Sequence, residues 1–284
     1  MTAAPTGARP PIDYEPGWRS YLRLYGTLMR TSASEQFQYR VANYLIMIGM
    51  IAEPVVYLIV WQTIARSNGG EVGGYTAGTF AAYYIVWTLV RNMNIVFTPF
   101  GWEQRIREGQ LSGHLVRPIH PIHYDLGYFA GWKVVVIVLW LPIAAVLALV
   151  FHPTLEPSLA QVVTFAVAIW GAYLVRSMFL WMLGMVTFWT TRATAMFEAF
   201  FAAELLLSGR LLPVALLPGW AQQLAGFLPF ESSFGFPITA LVGPIDGRGL
   251  VVGLLRQAMW IAIGAIGVKV MWSRALRRYT AVAG

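Results

Sequence analysis

Apolar residues in this chain come in long runs separated by short polar joins rich in glycine and proline. Runs near 42–64, 77–99, 128–151, 161–188, 193–209 and 248–271 match or approach the roughly 20 residues that carry a helix across a bilayer core. A membrane β-barrel would instead alternate every second residue. The pattern therefore predicts an all-α, polytopic membrane protein with six transmembrane helices and both termini on one side. The first run holds Glu53 followed by Pro54, which predicts a kink near its middle. The second is interrupted by Arg91 and Asn92, and the fifth is the shortest. Between the last two runs, 210–247 carries Pro213, Pro218, Pro229, Pro237 and Pro244 between apolar pieces too short to cross. Such pieces are expected as re-entrant or interfacial half-helices.

Before the first run, Trp18, Tyr21, Leu22, Tyr25, Leu28 and Met29 fall on one helical stripe, with Arg19, Arg23 and Arg30 away from it. An apolar stripe beside an arginine face predicts an amphipathic helix in the headgroup plane. The competing reading is a helix packed on other protein. Residues 1–16 are rich in proline, alanine and glycine and are expected to form a poorly ordered cytoplasmic N-terminus. Residues 17–272 then form a single six-helix transmembrane domain, and 273–284 a cytoplasmic tail.

Composition narrows the function. Hydrophobic residues make up 57% of the 284 and charged residues 12%, against about 25% charged in a soluble domain, which excludes a water-soluble enzyme. There is no cysteine, so no disulfide and no thiolate site. The net charge of +7 fits cytoplasmic loops and lipid headgroups rather than nucleic acid. Twelve of the 20 basic residues lie on one side of the six runs, three (Arg66, Arg210 and Arg248) on the other, and the rest within runs or at their edges. Basic residues stay cytoplasmic, so both termini and the 100–127 loop are expected inside.

A phosphate-cradling loop needs a Gly-x-x-x-x-Gly-Lys-Ser/Thr motif, and neither lysine, Lys133 or Lys269, sits in one. His120, His123 and Asp125 form an H-x-x-H-x-D cluster, but Pro118 and Pro121 break helical register there. It reads as a loop with polar histidines rather than a metal site. Charges inside the runs carry more weight, because each costs at least about 2.5–3.5 kcal/mol at the helix centre. Glu53, Arg91, Glu198 and Glu204 are the candidate lining of a substrate path, with Arg91 and Arg176 as partners for the acids. The competing reading is structural ion pairing between helices. Lys133 and Arg256, near the ends of runs, are expected to snorkel.

In the loop after the second run, Trp102, Ile106 and Gln110 fall along one helical line, with Glu103, Arg105, Arg107 and Glu108 around them. Gly109 is expected to end that helix. Leu111 and Leu115 predict a second short piece that stops before Pro118. A short charged helix between two membrane hairpins suits docking on a partner.

At this loop the sequence resembles a known family. Arg105-Ile106-Arg107-Glu108-Gly109-Gln110-Leu111, followed by Leu115-Val116-Arg117-Pro118, looks like the signature after the second span of type-2 ATP-binding-cassette (ABC-2) permeases. The likeness is closest to a branch known only as a transport-system permease of unassigned function. Leu207-Ser208-Gly209, Pro213, Leu217-Pro218, Leu228-Pro229-Phe230 and Pro237 look like the string after that family's fifth span. The resemblance implies the transmembrane permease subunit of an exporter in a bacterial cytoplasmic membrane, with no catalysis on this chain. It implies separate ATPase subunits carrying ATP and Mg, and a second permease subunit, identical or different. It makes the N-terminal helix an elbow helix, and the 210–246 segment a re-entrant pair at the outer mouth. It makes Trp102, Glu103, Arg105, Ile106, Arg107, Glu108, Gly109 and Leu111 the ATPase-coupling residues. Trp102, Ile106 and Leu111 are expected to supply buried contact area, and Arg105, Arg107 and Glu108 to orient docking. A channel or an ion- or proton-coupled transporter using the intramembrane acids is the alternative.

Overall fold

The computed structural model describes residues 17–190 and 193–278; the proposed N-terminal tail and the end of the C-terminal tail lie outside them. Among the described residues the protein is all-α apart from one two-stranded hairpin. Helix α1 (Trp18–Gln38) runs along α7 (Pro121–Phe151). The approach is close because α7 carries Gly127 and Gly131 there: a Cβ at Gly127 would collide with Leu28, and one at Gly131 with the backbone of Met29. So the stripe of α1 meets protein, while Trp18 and Leu22 near its start stay exposed.

The first span divides into α2 (Arg40–Gly49) and α3 (Ala52–Ser67). The break at Met50–Ile51 is the kink expected of Pro54, whose ring crowds the carbonyl four residues back and which lacks the N–H to bond it. A hairpin of β1 (Glu71–Val72) and β2 (Tyr75–Thr76) turns the chain into α4 (Ala77–Met93). Thr76 caps α4 by accepting from the Thr79 N–H at 3.2 Å. From Phe80 to Val90 every residue of α4 is buried, as befits a helix apolar all round.

After α4 the chain is irregular as far as Thr98, which caps α5 (Pro99–Arg107). Gly109 follows in the left-handed region (φ 69°), turning the chain into α6 (Leu111–Leu115). Helix α7 begins at Pro121 with His120 as its cap, and α8 (Leu159–Met185) begins with a reciprocal Ser158–Gln161 capping box. Helix α9 (Thr194–Leu207) leads to the proline-rich segment. There the apolar pieces become α10 (Gly219–Phe227), α11 (Phe230–Ser233) and α12 (Gly235–Val242), whereas Leu211–Leu217 forms no α-helix. Finally α13 (Gly247–Ala275), capped by Asp246, packs along α8. Gln257 fixes that contact by donating to the carbonyls of Ala168 and Ser232, both at 2.9 Å.

Among the described residues, four helical stretches are long and apolar enough to cross a membrane: 40–67, 121–151, 159–188 and 247–275. Helices occupy the other two expected places, but α4 has 17 residues and α9 has 14.

Candidate functional site

Two clusters of polar side chains stand inside the helix assembly. The first surrounds the C-terminal end of α4. Glu53, midway along 40–67, pairs with Arg91 on α4, and the Tyr57 hydroxyl donates to it at 3.4 Å. Arg176 on α8 grips Glu204 on α9 through its Nε and one terminal nitrogen, at 2.8 and 2.9 Å. Arg210, just past α9, lies between the two carboxylates, 3.5 Å from Glu53 and 3.7 Å from Glu204. Five charges from α3, α4, α8, α9 and the chain beyond α9 thus form one chain of contacts. The rings of Trp87 and Phe234 lie against these cations, with Arg210 5.8 and 5.3 Å from their centroids.

The sequence expectation that Arg91 and Arg176 partner the acids is met in part: Arg176 takes Glu204, but Arg91 takes Glu53 rather than Glu198. Arg210 is a correction. Counted among the outer-side loop charges, it is instead largely buried in this cluster, and its Nε has no hydrogen-bond partner among the described residues. Its only advertisement in sequence is a cation beside Gly209, whose φ of 90° lets the chain turn back. Glu198 stands apart, exposed on α9 and with no ion pair among the described residues.

The first carbonyls beyond α4 are answered by charge as well. Arg176 donates to the Asn94 carbonyl and Lys133 to that of Ile95. Cations suit a helix C-terminus, where the dipole is negative. Lys133 therefore does not snorkel. It is fully buried among Phe129, Trp132 and Tyr173, each 5.3–5.7 Å from its ammonium. Nor does Arg256 reach for the interface, since it pairs with Glu231 at 2.8 Å.

The second cluster seats α5. Trp102 is wholly buried, edge-on to Trp181 at 4.4 Å and near Trp272 at 6.2 Å. Gly184 makes room for it, since a Cβ there would fall about 2.5 Å from the indole. Arg105 turns inward too, binding Asp125 through two bonds of 3.0 Å with the Phe97 ring 3.9 Å away. The Trp181 N–H completes the Asp125 shell at 2.9 Å. Asp125 is thereby committed to a cation and an indole rather than to His120 and His123. Those histidines are not in a polar loop. They open α7 amid aromatic rings, His120 4.7 Å from Trp272 and His123 bonded to the Tyr25 hydroxyl at 3.0 Å. Burial, with His123 nearby, pushes the His120 pKa down to about 4 and keeps that imidazole neutral.

Of the residues expected to touch a partner, Trp102, Arg105 and Leu111 are thus turned into this chain. Trp102 and Leu111 have no surface to offer and hold the helix from within. Arg107, Glu108, Gln104 and Gln110 remain exposed. They are tied by local bonds: Arg107 to Glu103 at 2.9 Å, and Glu108 accepting from Gln104 and Gln110 at 2.8 and 2.6 Å. Ile106 is half-buried, and Val116 projects beyond α6, 85% exposed.

The family described as ABC-2 family transporter protein matches residues 51–283. No curated protein matches the chain.

Proposed function

The chain belongs to the ABC-2 transporter family, a multi-pass membrane component of transport machinery, and on that premise we propose that it is the permease subunit of an exporter. In this reading ATP and Mg act on separate ATPase subunits, and α5–α6 is the element through which their motion enters the membrane. A second permease, identical or different, completes the path, in a bacterial cytoplasmic membrane with both termini inside.

One observation carries the reading: the Glu53–Arg91 pair. It lies halfway along a membrane-length helix, yet its side chains are 30% and 25% exposed. Charges at that depth face protein or water, not lipid. The open side of α3 around this pair is therefore where another subunit and an aqueous path belong. The same logic supports six passes. Helices α4 and α9 are about 25 and 21 Å long, short of a hydrocarbon core of about 30 Å. Irregular backbone at such depth is tolerated where protein satisfies it. Arg176 and Lys133 do so below α4, while Tyr83 and Tyr84 donate to the carbonyls of Gly209 and Leu211, at 2.7 and 2.9 Å, beyond α9. Burial of α11 and α12 supports a re-entrant pair in the same way.

Inner-surface coupling then rests on the outward face of α5–α6, with Arg107, Glu108 and Val116 as contacts. Trp102, Arg105 and Leu111 act as the rigid seat behind them. A cation- or proton-coupled path is disfavoured, because Glu53 and Glu204 are both clamped and the three guanidiniums outnumber them.

The test is co-purification of the chain with a soluble P-loop ATPase, followed by ATP hydrolysis in the reconstituted complex. Arg107→Glu is expected to abolish stimulation while membrane insertion stays intact. Gly109→Pro should do the same, because proline cannot adopt φ 69°. Full stimulation in both variants would refute the coupling role. Uphill transport by the chain alone, collapsing with an uncoupler, would favour the ion-coupled alternative.

A further inference from the structure

A cavity of about 640 Å³ opens between α1, the start of α7, α8 and the last third of α13. Its size suits a drug-like ligand or a lipid segment. Helix α13 gives it a continuous wall: Ala265, Val268, Lys269, Trp272 and Ser273 recur at intervals of one helical face. Leu126 and Met178 make the opposite side apolar, and Tyr21 and His123 stand with Lys269 among the polar lining.

The wall is graded along the helix axis. Ala265 and Val268 come first, then Lys269 and Ser273, and the chain continues into Arg274, Arg277 and Arg278. From Ala265 to Ser273 the rise is about 12 Å, so an apolar stretch gives way to cations over the length of a lipid's glycerol and upper acyl region. With the basic end of α13 cytoplasmic, that order is the order of an inner-leaflet lipid: chain deeper, headgroup shallower. Lys269 is exposed and has no ion pair among the described residues, which leaves its charge available. Trp272 and Tyr21 are the ring types that favour the headgroup level.

We propose that this cavity is a binding site for an anionic phospholipid of the inner leaflet, with its phosphate at Lys269 beside Tyr21 and an acyl chain along Ala265, Val268 and Met178. The inference uses the orientation proposed above but not the coupling to an ATPase, so either can fail without the other. Its consequence reaches inward. The lipid bears on Trp272, whose ring meets Trp102 at 6.2 Å, so occupancy is felt one ring away from α5.

The experiment is native mass spectrometry of the full chain, delipidated in detergent and offered equal amounts of dioleoylphosphatidylglycerol and dioleoylphosphatidylcholine. One basic group near the headgroups is worth about fivefold in binding, and phosphatidylglycerol should be retained by at least that margin. Lys269→Glu should erase the preference, and Lys269→Gln should weaken it. Ala265→Trp, filling the apolar wall, should reduce retention of both lipids. Arg248→Glu, at the far end of the same helix, should bind as the parent does. Equal retention of the two lipids by the parent would overturn the proposal, as would an undiminished preference in Lys269→Glu. Displacement of the lipid by millimolar inorganic phosphate would overturn it too, by revealing an anion site that needs no acyl chain.

Discussion

The charge cluster below α4 and the aromatic seat of α5 are built from the same kinds of side chain and held in opposite ways. Around Asp125 every charge is matched. Arg105 binds it through two bonds of 3.0 Å, Trp181 caps it, and three tryptophan rings close the surroundings. Around α4 three guanidiniums share two carboxylates, and the middle one, Arg210, touches both only at 3.5 and 3.7 Å. A fork-shaped, fully bonded pair has one good geometry. A cation suspended between two acids can lean to either at little cost. The contrast teaches where movement is available: α5 is held as a rigid lever, and Arg176 clamps α8 to α9 in the same forked way, whereas Arg210 can change partner as the chain beyond α9 shifts.

The largest effect is expected from splitting the tightest intramembrane pair. Glu204 is 1% exposed, so Arg176→Met leaves a buried carboxylate with only the distant Arg210 at 3.7 Å, a cost of about 3–5 kcal/mol. Thermal unfolding in detergent should show it, and the double variant Arg176→Met with Glu204→Leu should recover much of the loss. Equal damage in the single and double variants would mean the pair is not the unit. Next comes the seat of α5. Gly184→Val drives atoms into the Trp102 ring and should cost about 1–3 kcal/mol, with ATPase stimulation lost at temperatures where the fold survives. Smaller still is Arg210→Gln, whose loss of stability should fall well below that of Arg176→Met; parity between the two would erase the contrast between a clamped and a suspended cation.

The pH response of the aromatic seat should be modest and of one sign. His120 is held neutral in the fold, with its pKa lowered from 6.5 to about 4 by burial. Protonation therefore favours the unfolded chain. Stability should decline as pH falls from about 6.5 toward 4, and less so in His120→Phe. The smallest effect, within about 0.5 kcal/mol, is expected for Glu198→Gln, because that exposed acid belongs to neither cluster.

Local chemistry was readable from the sequence, and distant partners were not. Pro54 dictates a break four residues upstream and Gly109 a left-handed turn wherever the rest of the chain goes. That lipid forces charges to pair made the Arg91 and Arg176 contacts foreseeable as a class. Which acid each takes depends on how α3, α4, α8 and α9 meet, and no single helix carries that information. Trp102 shows the limit best. Its helical line with Ile106 and Gln110 suits an outer docking face equally well, and only Trp181 and Gly184, some 80 residues later, decide that it turns inward. Lys133 misled for a similar reason: a lysine near a span end ordinarily reaches for water, but here the unanswered carbonyl of Ile95 draws it into the core.

The closed burial of α4 from Phe80 to Val90 has a bearing on how the protein is made. A segment enclosed by its neighbours at the end of synthesis must enter the membrane before α7, α8 and α12 exist to enclose it. For that interval its tyrosines and Asn92 confront lipid or the insertion machinery without the helices that later cover them, and Arg91 has only Glu53 of α3 to answer it. Biogenesis, more than the finished structure, is then the stage at which substitutions in this helix would be least forgiven.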